Sequence, residues 1–111
     1  MSSDSVVPFQ TVTPDEVATR VAARDDVFIV DLREPRQFHQ GHIPEAIPLP
    51  ADEFADRFAR ELDPNDEVIV VCERGLTSRE AAKFLASQGF ANVATMEGGM
   101  AAYDGPLARR G

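Results

Sequence analysis

The chain contains a single cysteine, Cys72, placed directly after the apolar run Val68-Ile69-Val70-Val71 and before Glu73-Arg74-Gly75-Leu76-Thr77-Ser78. A short β-branched run reads as a buried strand, and the carboxyl ends of strands in a parallel α/β sheet are where ligands bind. A tight loop containing glycine, followed by a helix start, surrounds the sulfur with backbone N–H groups and the positive end of a helix dipole. Such surroundings favour the thiolate, the nucleophilic form of cysteine. The same N–H groups hold an anion bonded to the sulfur or approaching it. The competing reading is a small buried hydrophobe, since free cysteine is among the most buried residue types.

The neighbouring side chains each carry two readings. Arg74 meets an anion with a charge-assisted fork, or stays a solvated loop residue. Glu73 opposes negative charge on the sulfur if it turns inward, and is expected to turn outward. Thr77 and Ser78 donate hydroxyl hydrogen bonds to the sulfur or to an oxyanion, or else cap the helix. Asp31 and Arg33 close the other strong apolar run, Val27-Phe28-Ile29-Val30, which puts them on the same rim as Cys72. They are expected to be structural, with Asp31 accepting backbone N–H bonds and Arg33 bracing a neighbouring loop. His42 is available as a general base, although transfer from a preformed thiolate has little need of one. His39 reads as a solvated helix residue. Two histidines without a third convincing ligand do not make a metal site, and no cofactor is expected.

These groups must be positioned by a chain of 111 residues, the size of one domain. The lone cysteine excludes an internal disulfide framework and any zinc site needing two thiolates. A net charge of −8 and a pI near 4.6 argue against nucleic-acid and membrane partners. No stretch approaches the roughly 18 apolar residues of a membrane span, and the N-terminus lacks a signal-peptide pattern. The expectation is a soluble, cytoplasmic protein with a reduced cysteine.

Apolar runs alternate with helical periods, the pattern of an α/β fold with a mainly parallel sheet. Weaker strands are expected at Phe9–Val12, Ile47–Leu49 and Val93–Met96. Thr13-Pro14-Asp15-Glu16 reads as a capping box opening a helix that runs to about Arg24. Further helices are expected over Asp52–Leu62, where Phe54, Phe58 and Leu62 share a face, and over Ser78–Ser87, with short turns at Glu34–His39 and Gly99–Tyr103. Residues 1–8 read as a flexible lead-in, 9–104 as the domain and 105–111 as a tail.

Three ordered motifs resemble those of rhodanese-like domains. They are Asp31-Leu32-Arg33-Glu34-Pro35 with Phe38 and Gly41-His42-Ile43-Pro44-Glu45-Ala46-Ile47, then the loop Cys72 to Ser78, then Gly98-Gly99-Met100-Ala101-Ala102-Tyr103, where the family more often has tryptophan than Tyr103. The resemblance spans residues 31 to 103 and implies a stand-alone single-domain member. It also implies a three-layer sandwich with a five-stranded, mainly parallel sheet flanked by helices. The implied activity is a sulfurtransferase, with Cys72 carrying a persulfide and the backbone amides of residues 73–78 cradling its terminal sulfur. The partners would be a small-molecule sulfur donor and an acceptor: cyanide, a cellular thiol or a sulfur-accepting protein. Arg74 falls where thiosulfate-using members place a donor-binding cation. Glu73 falls where some of them place a second cation, and Gln37 where two-domain members have a donor-binding arginine, with Arg36 one residue displaced. His42 falls where the family motif holds a turn.

Three alternatives start from the same loop. Related phosphatases and arsenate reductases use Cys, five intervening residues and Arg, whereas here Ser78 stands at that spacing and Arg79 lies one residue on, inside the helix. A non-catalytic interaction module keeps the fold without turnover. A sulfur carrier uses the same Cys72 chemistry with a protein as acceptor.

Overall fold

The structure, a computed structural model, describes residues 8–109. Residues 1–7 of the expected lead-in and 110–111 of the expected tail lie outside the described residues. Five strands, β1 (Gln10–Val12), β2 (Phe28–Asp31), β3 (Ile47–Pro48), β4 (Val68–Val71) and β5 (Val93–Met96), form one sheet in the order β1-β5-β4-β2-β3. Every pairing is parallel, so the sheet is wholly rather than mainly parallel. Four helices, α1 (Pro14–Ala22), α2 (Pro35–Gln40), α3 (Ala51–Glu61) and α4 (Thr77–Ser87), link the strands, and a 3-10 turn, Met100–Ala102, follows β5. No helix among the described residues is long and apolar enough to cross a membrane.

Both faces of the sheet are covered, which is why the central strands carry no polar face. Val68 and Val70 of β4 pack in one core with Phe54, Ala82 and Leu85 of α3 and α4, whereas Ile69 and Val71 pack in a second with Val17 of α1 and Phe38 of α2. The strand period of two continues one step past β4, so Cys72 joins the core on the α3/α4 side, below the start of α4. Phe58 of α3 meets Phe84 of α4 edge-on with ring centroids 5.0 Å apart, which fixes the two helices against each other.

Helix α1 opens with the expected capping box: Glu16 N donates to Thr13 Oγ1 at 3.1 Å, and Thr13 N donates to Glu16 Oε1 at 2.7 Å. It ends at Ala22, short of the expected Arg24, because Arg24 turns left-handed with φ 58°. A second correction is β3, whose strand residues are only Ile47 and Pro48. Pro48 is tolerated there because β3 is an edge strand, and the bond to β2 beyond it comes from Leu49 N, which donates to Asp31 O at 2.9 Å.

The connections create a crevice. From β2 the chain leaves for α2 and β3, while from β4 it leaves for α4 and β5, on the opposite face and toward the opposite edge. The carboxyl ends of β2 and β4 are hydrogen-bonded neighbours, with Asp31 opposite Val71, and their loops part there. A reversal of this kind leaves open space at the strand ends, and Cys72 stands at it.

Candidate active site

The loop after β4 wraps its N–H groups around the sulfur. Gly75 N donates to Cys72 Sγ at 3.1 Å and Ser78 N donates at 3.3 Å. Ser78 is the second residue of α4, and its N–H is one of those that a helix start leaves without an internal partner. A side chain at the cap position ordinarily accepts that bond. Here the cap is Leu76, which has no side-chain acceptor, and the cysteine sulfur accepts in its place. Of the two readings of Thr77 and Ser78, the one in which a side chain of theirs caps the helix does not hold. Thr77 is exposed, and its hydroxyl makes no bond to the sulfur. Ser78 is fully buried, and its Oγ has no hydrogen-bond partner among the described residues.

The loop is held from behind by the segment after β5. Met100 N donates to Cys72 O and Ala101 N donates to Glu73 O, both at 2.8 Å. These bonds draw Gly99 so close that a Cβ there would lie 2.5 Å from Cys72 O and 2.6 Å from both Glu73 O and Gly75 N. Gly75 has φ +86°, and a Cβ on it would meet Gly98 N at 3.1 Å. The sequence presents Gly98 and Gly99 only as part of a family motif. Their role in packing the loop is visible in the structure, and the sequence signal was the adjacent pair of glycines itself.

Asp31 and Arg33 form the opposite wall. Buried Asp31 accepts from Arg33 N at 3.0 Å, from Nε at 3.1 Å and from Nη2 at 2.9 Å, while Arg33 Nη2 also donates to Gly41 O at 2.7 Å. Asp31 thus ties down the backbone just after β2, and Arg33 braces the turn after α2. Arg33 Nη1 lies 3.7 Å from Glu73 Oε1, so the Glu73 carboxylate, half-exposed, leans across the crevice toward Arg33. Arg74 is exposed and has no carboxylate partner among the described residues. Leu76 is 72% exposed, the most exposed large hydrophobic side chain among the described residues.

The remaining candidates make no contact with the sulfur among the described residues. Nδ1 of His42 donates to the Phe38 carbonyl at 2.7 Å, and its ring stacks on Phe38 with centroids 3.8 Å apart, so it holds a turn. His39 is exposed. Gln37 Oε1 accepts from Glu34 N at 3.2 Å and so serves the start of α2. Arg36 lines a depression of about 570 Å³ with Leu32 and Asp52. The Arg79 guanidinium lies over the Phe9 ring, 5.3 Å from its centre, and not over the loop, so the fork needed for phosphate is missing. The segment 105–109 is bound to the body: Ala108 and His42 exchange backbone hydrogen bonds of 2.9 and 2.7 Å, and Arg109 Nε donates to Gln40 O at 2.9 Å. Tyr103 donates its hydroxyl to Pro106 O at 2.9 Å, and burial, with Asp104 nearby, pushes its ionisation above the usual phenol range.

Comparison with known proteins agrees with this geometry. The rhodanese-like domain family matches residues 13–105. Thiosulfate sulfurtransferase GlpE of Pseudomonas syringae pv. syringae is 34% identical over 91 residues, covering 82% of this chain and 83% of that protein. A sulfurtransferase of Allochromatium vinosum is 33% identical over 89 residues, covering 80% of this chain and 82% of that protein. The crystal structure of a rhodanese-like domain protein from Staphylococcus aureus superposes with a TM-score of 0.82 at 26% identity, over 93% of this chain and 100% of that one.

Proposed function

The chain belongs to the rhodanese-like domain family and is a sulfurtransferase, and we propose that it works through a persulfide on Cys72. In the first half-reaction the Cys72 thiolate attacks the sulfane sulfur of a donor such as thiosulfate. A sulfur–sulfur bond to Cys72 forms, the donor's own sulfur–sulfur bond breaks, and sulfite leaves with the electron pair. In the second, cyanide or a thiolate attacks the outer sulfur, and the Cys72 thiolate departs with the pair from the broken bond. This is covalent catalysis in two easier steps, and it needs neither a metal nor a second cysteine. The reducing cytoplasm suits such a cycle, because a lone thiol there stays free.

The observation that carries this reading is the convergence of Gly75 N and Ser78 N on Cys72 Sγ. Donors fixed around the sulfur stabilise negative charge on it without reorganising during the reaction. Arg74, exposed beside them, offers a fork to the sulfonate end of an anionic donor. Delivery to a protein acceptor is favoured by Leu76, whose apolar side chain stands out at the loop rather than packing inward.

The test is a donor panel of thiosulfate, mercaptopyruvate and polysulfide read by intact-mass spectrometry. The expected result is gain of one sulfur atom by the wild type, its loss on adding cyanide with release of thiocyanate, and no gain by Cys72→Ser. Serine oxygen still accepts from the two N–H groups, so this variant stays folded. No sulfur gain from any donor, or thiocyanate turnover by Cys72→Ser, would sink the proposal.

A further inference from the structure

Ser78 is at odds with its surroundings. Its side chain is fully buried in the first turn of α4, on the helix that packs Ala81 and Ala82 inward, and its Oγ is left without any partner among the described residues. A buried hydroxyl without a bond carries the full desolvation cost of the group. Alanine would serve the helix better, having the higher helical propensity and nothing to satisfy. Serine within a helix usually recovers the cost by bonding a carbonyl of the preceding turn, yet here no such bond forms.

The hydroxyl is placed close to the chemistry. The N–H of the same residue donates to Cys72 Sγ at 3.3 Å, and Oγ is three covalent bonds from that nitrogen. Sulfur loading adds one atom about 2.05 Å beyond Sγ, bearing the negative charge and no proton. It is an acceptor brought to a region where an O–H has none.

We propose that the Ser78 hydroxyl is the side-chain donor for the outer sulfur of the Cys72 persulfide, left unpaired in the resting enzyme and satisfied only when sulfur is loaded. This rests on the persulfide reading above and adds to it a residue that discriminates loaded from unloaded enzyme. Ser78 thereby shifts the transfer equilibrium toward the loaded form. The resting enzyme bears the cost of an unsatisfied group, and loading relieves it.

The test uses wild type, Ser78→Ala and Ser78→Thr, each loaded with polysulfide and then equilibrated in mixtures of sulfite and thiosulfate. Sulfite takes the outer sulfur to give thiosulfate and the free Cys72 thiolate, so the loaded fraction by intact mass reports the equilibrium directly. Ser78→Ala is expected to discharge at a sulfite-to-thiosulfate ratio about tenfold lower than wild type, the effect of losing one hydrogen bond to a charged group. Its resting melting temperature should equal or exceed that of wild type. Loading should raise the melting temperature of wild type more than that of Ser78→Ala, and Ser78→Thr should recover the wild-type discharge ratio. An unchanged discharge ratio in Ser78→Ala overturns the inference while leaving the persulfide standing. Failure of wild type to gain sulfur overturns both.

Discussion

Replacing Gly99 with alanine is expected to damage the sulfur site through the backbone alone. Gly99 has φ 65° and ψ −163°, a conformation essentially confined to glycine. Forcing alanine into it costs about 1–3 kcal/mol. The new Cβ would also stand 2.5 to 2.6 Å from Cys72 O, Glu73 O and Gly75 N, distances no real Cβ adopts. Relief requires the loop to move away, which breaks the bonds from Met100 N and Ala101 N, each worth about 1 kcal/mol. Together these give about 3–5 kcal/mol. Gly89→Ala is the matched control. Its φ is +95°, but nothing lies within 4 Å of its Cβ position, so the cost is only the left-handed backbone, about 1–2 kcal/mol. For a domain of this size 1 kcal/mol moves the melting temperature by roughly 4–8 °C, so Gly99→Ala should melt roughly 10–20 °C below Gly89→Ala. Thermal unfolding followed by circular dichroism measures this. The sulfur-loading rate, taken well below both melting temperatures, should fall in Gly99→Ala and hold in Gly89→Ala. If the two variants melted together and loaded at the wild-type rate, the clamp on the Cys72 loop would be refuted.

Two further outcomes concern the charges. Arg74→Ala should raise the KM for thiosulfate while sparing a neutral polysulfane donor, since only the anion uses the guanidinium; a thiosulfate KM unchanged from wild type would assign Arg74 to solvent. Arg20 pairs in two places with Glu67, one of the bonds being Nη2 to Oε1 at 2.8 Å, and this holds the Glu67 carboxyl below the usual carboxylate range. A lowered folded-state value means that the contribution is present above the unfolded value of about 4.3 and is lost as pH falls through the folded one. The pair is about one-third exposed on each side, so Glu67→Gln should cost about 0.5–1 kcal/mol at pH 7 and less at pH 3. Denaturant unfolding at both pH values checks this, and an equal loss at both would refute the assignment.

Legibility in the sequence tracks the range of the interactions involved. Val68–Val71 and the pair Ile29-Val30 announce buried strands because burial on both faces removes polar residues from them, and Thr13 with Glu16 announces a helix start because all the partners lie within one turn. Cys72 is legible for the same reason, as a strand, a loop and a helix start meet at it in sequence. The cap of α4 is left open between two readings because its acceptor is the sulfur, six residues before Ser78, where a cap is ordinarily sought next to the helix. The clamp by Met100 and Ala101 joins segments far apart in the chain, so the pair Gly98-Gly99 carries no local clue to what it approaches. The contact between Arg33 and Glu73 likewise exists only because β2 and β4 are neighbours. Strand order is set by which faces the helices cover, and no single segment encodes it.

One acceptor serving two purposes ties the reactivity of this site to its fold. The sulfur of Cys72 takes the place of a helix cap for α4, so the N–H groups that steady the helix are also those that would face charge on the nucleophile in the proposed mechanism. They are held by a glycine loop braced from β5, and their geometry does not depend on a mobile side chain. With −8 over the whole chain, the protein's general field repels an anionic donor. That field is screened beyond about 8–10 Å at physiological salt, whereas Gly75 N and Ser78 N lie in contact with the sulfur, and the role proposed for Arg74 is likewise one at contact. Across the crevice, Asp31 is neutralised by Arg33, and Glu73 is drawn toward the same guanidinium. The acidic chain thus presents at this strand end a short stretch in which Asp31 and Glu73 both face Arg33 while Gly75 N and Ser78 N point at one sulfur.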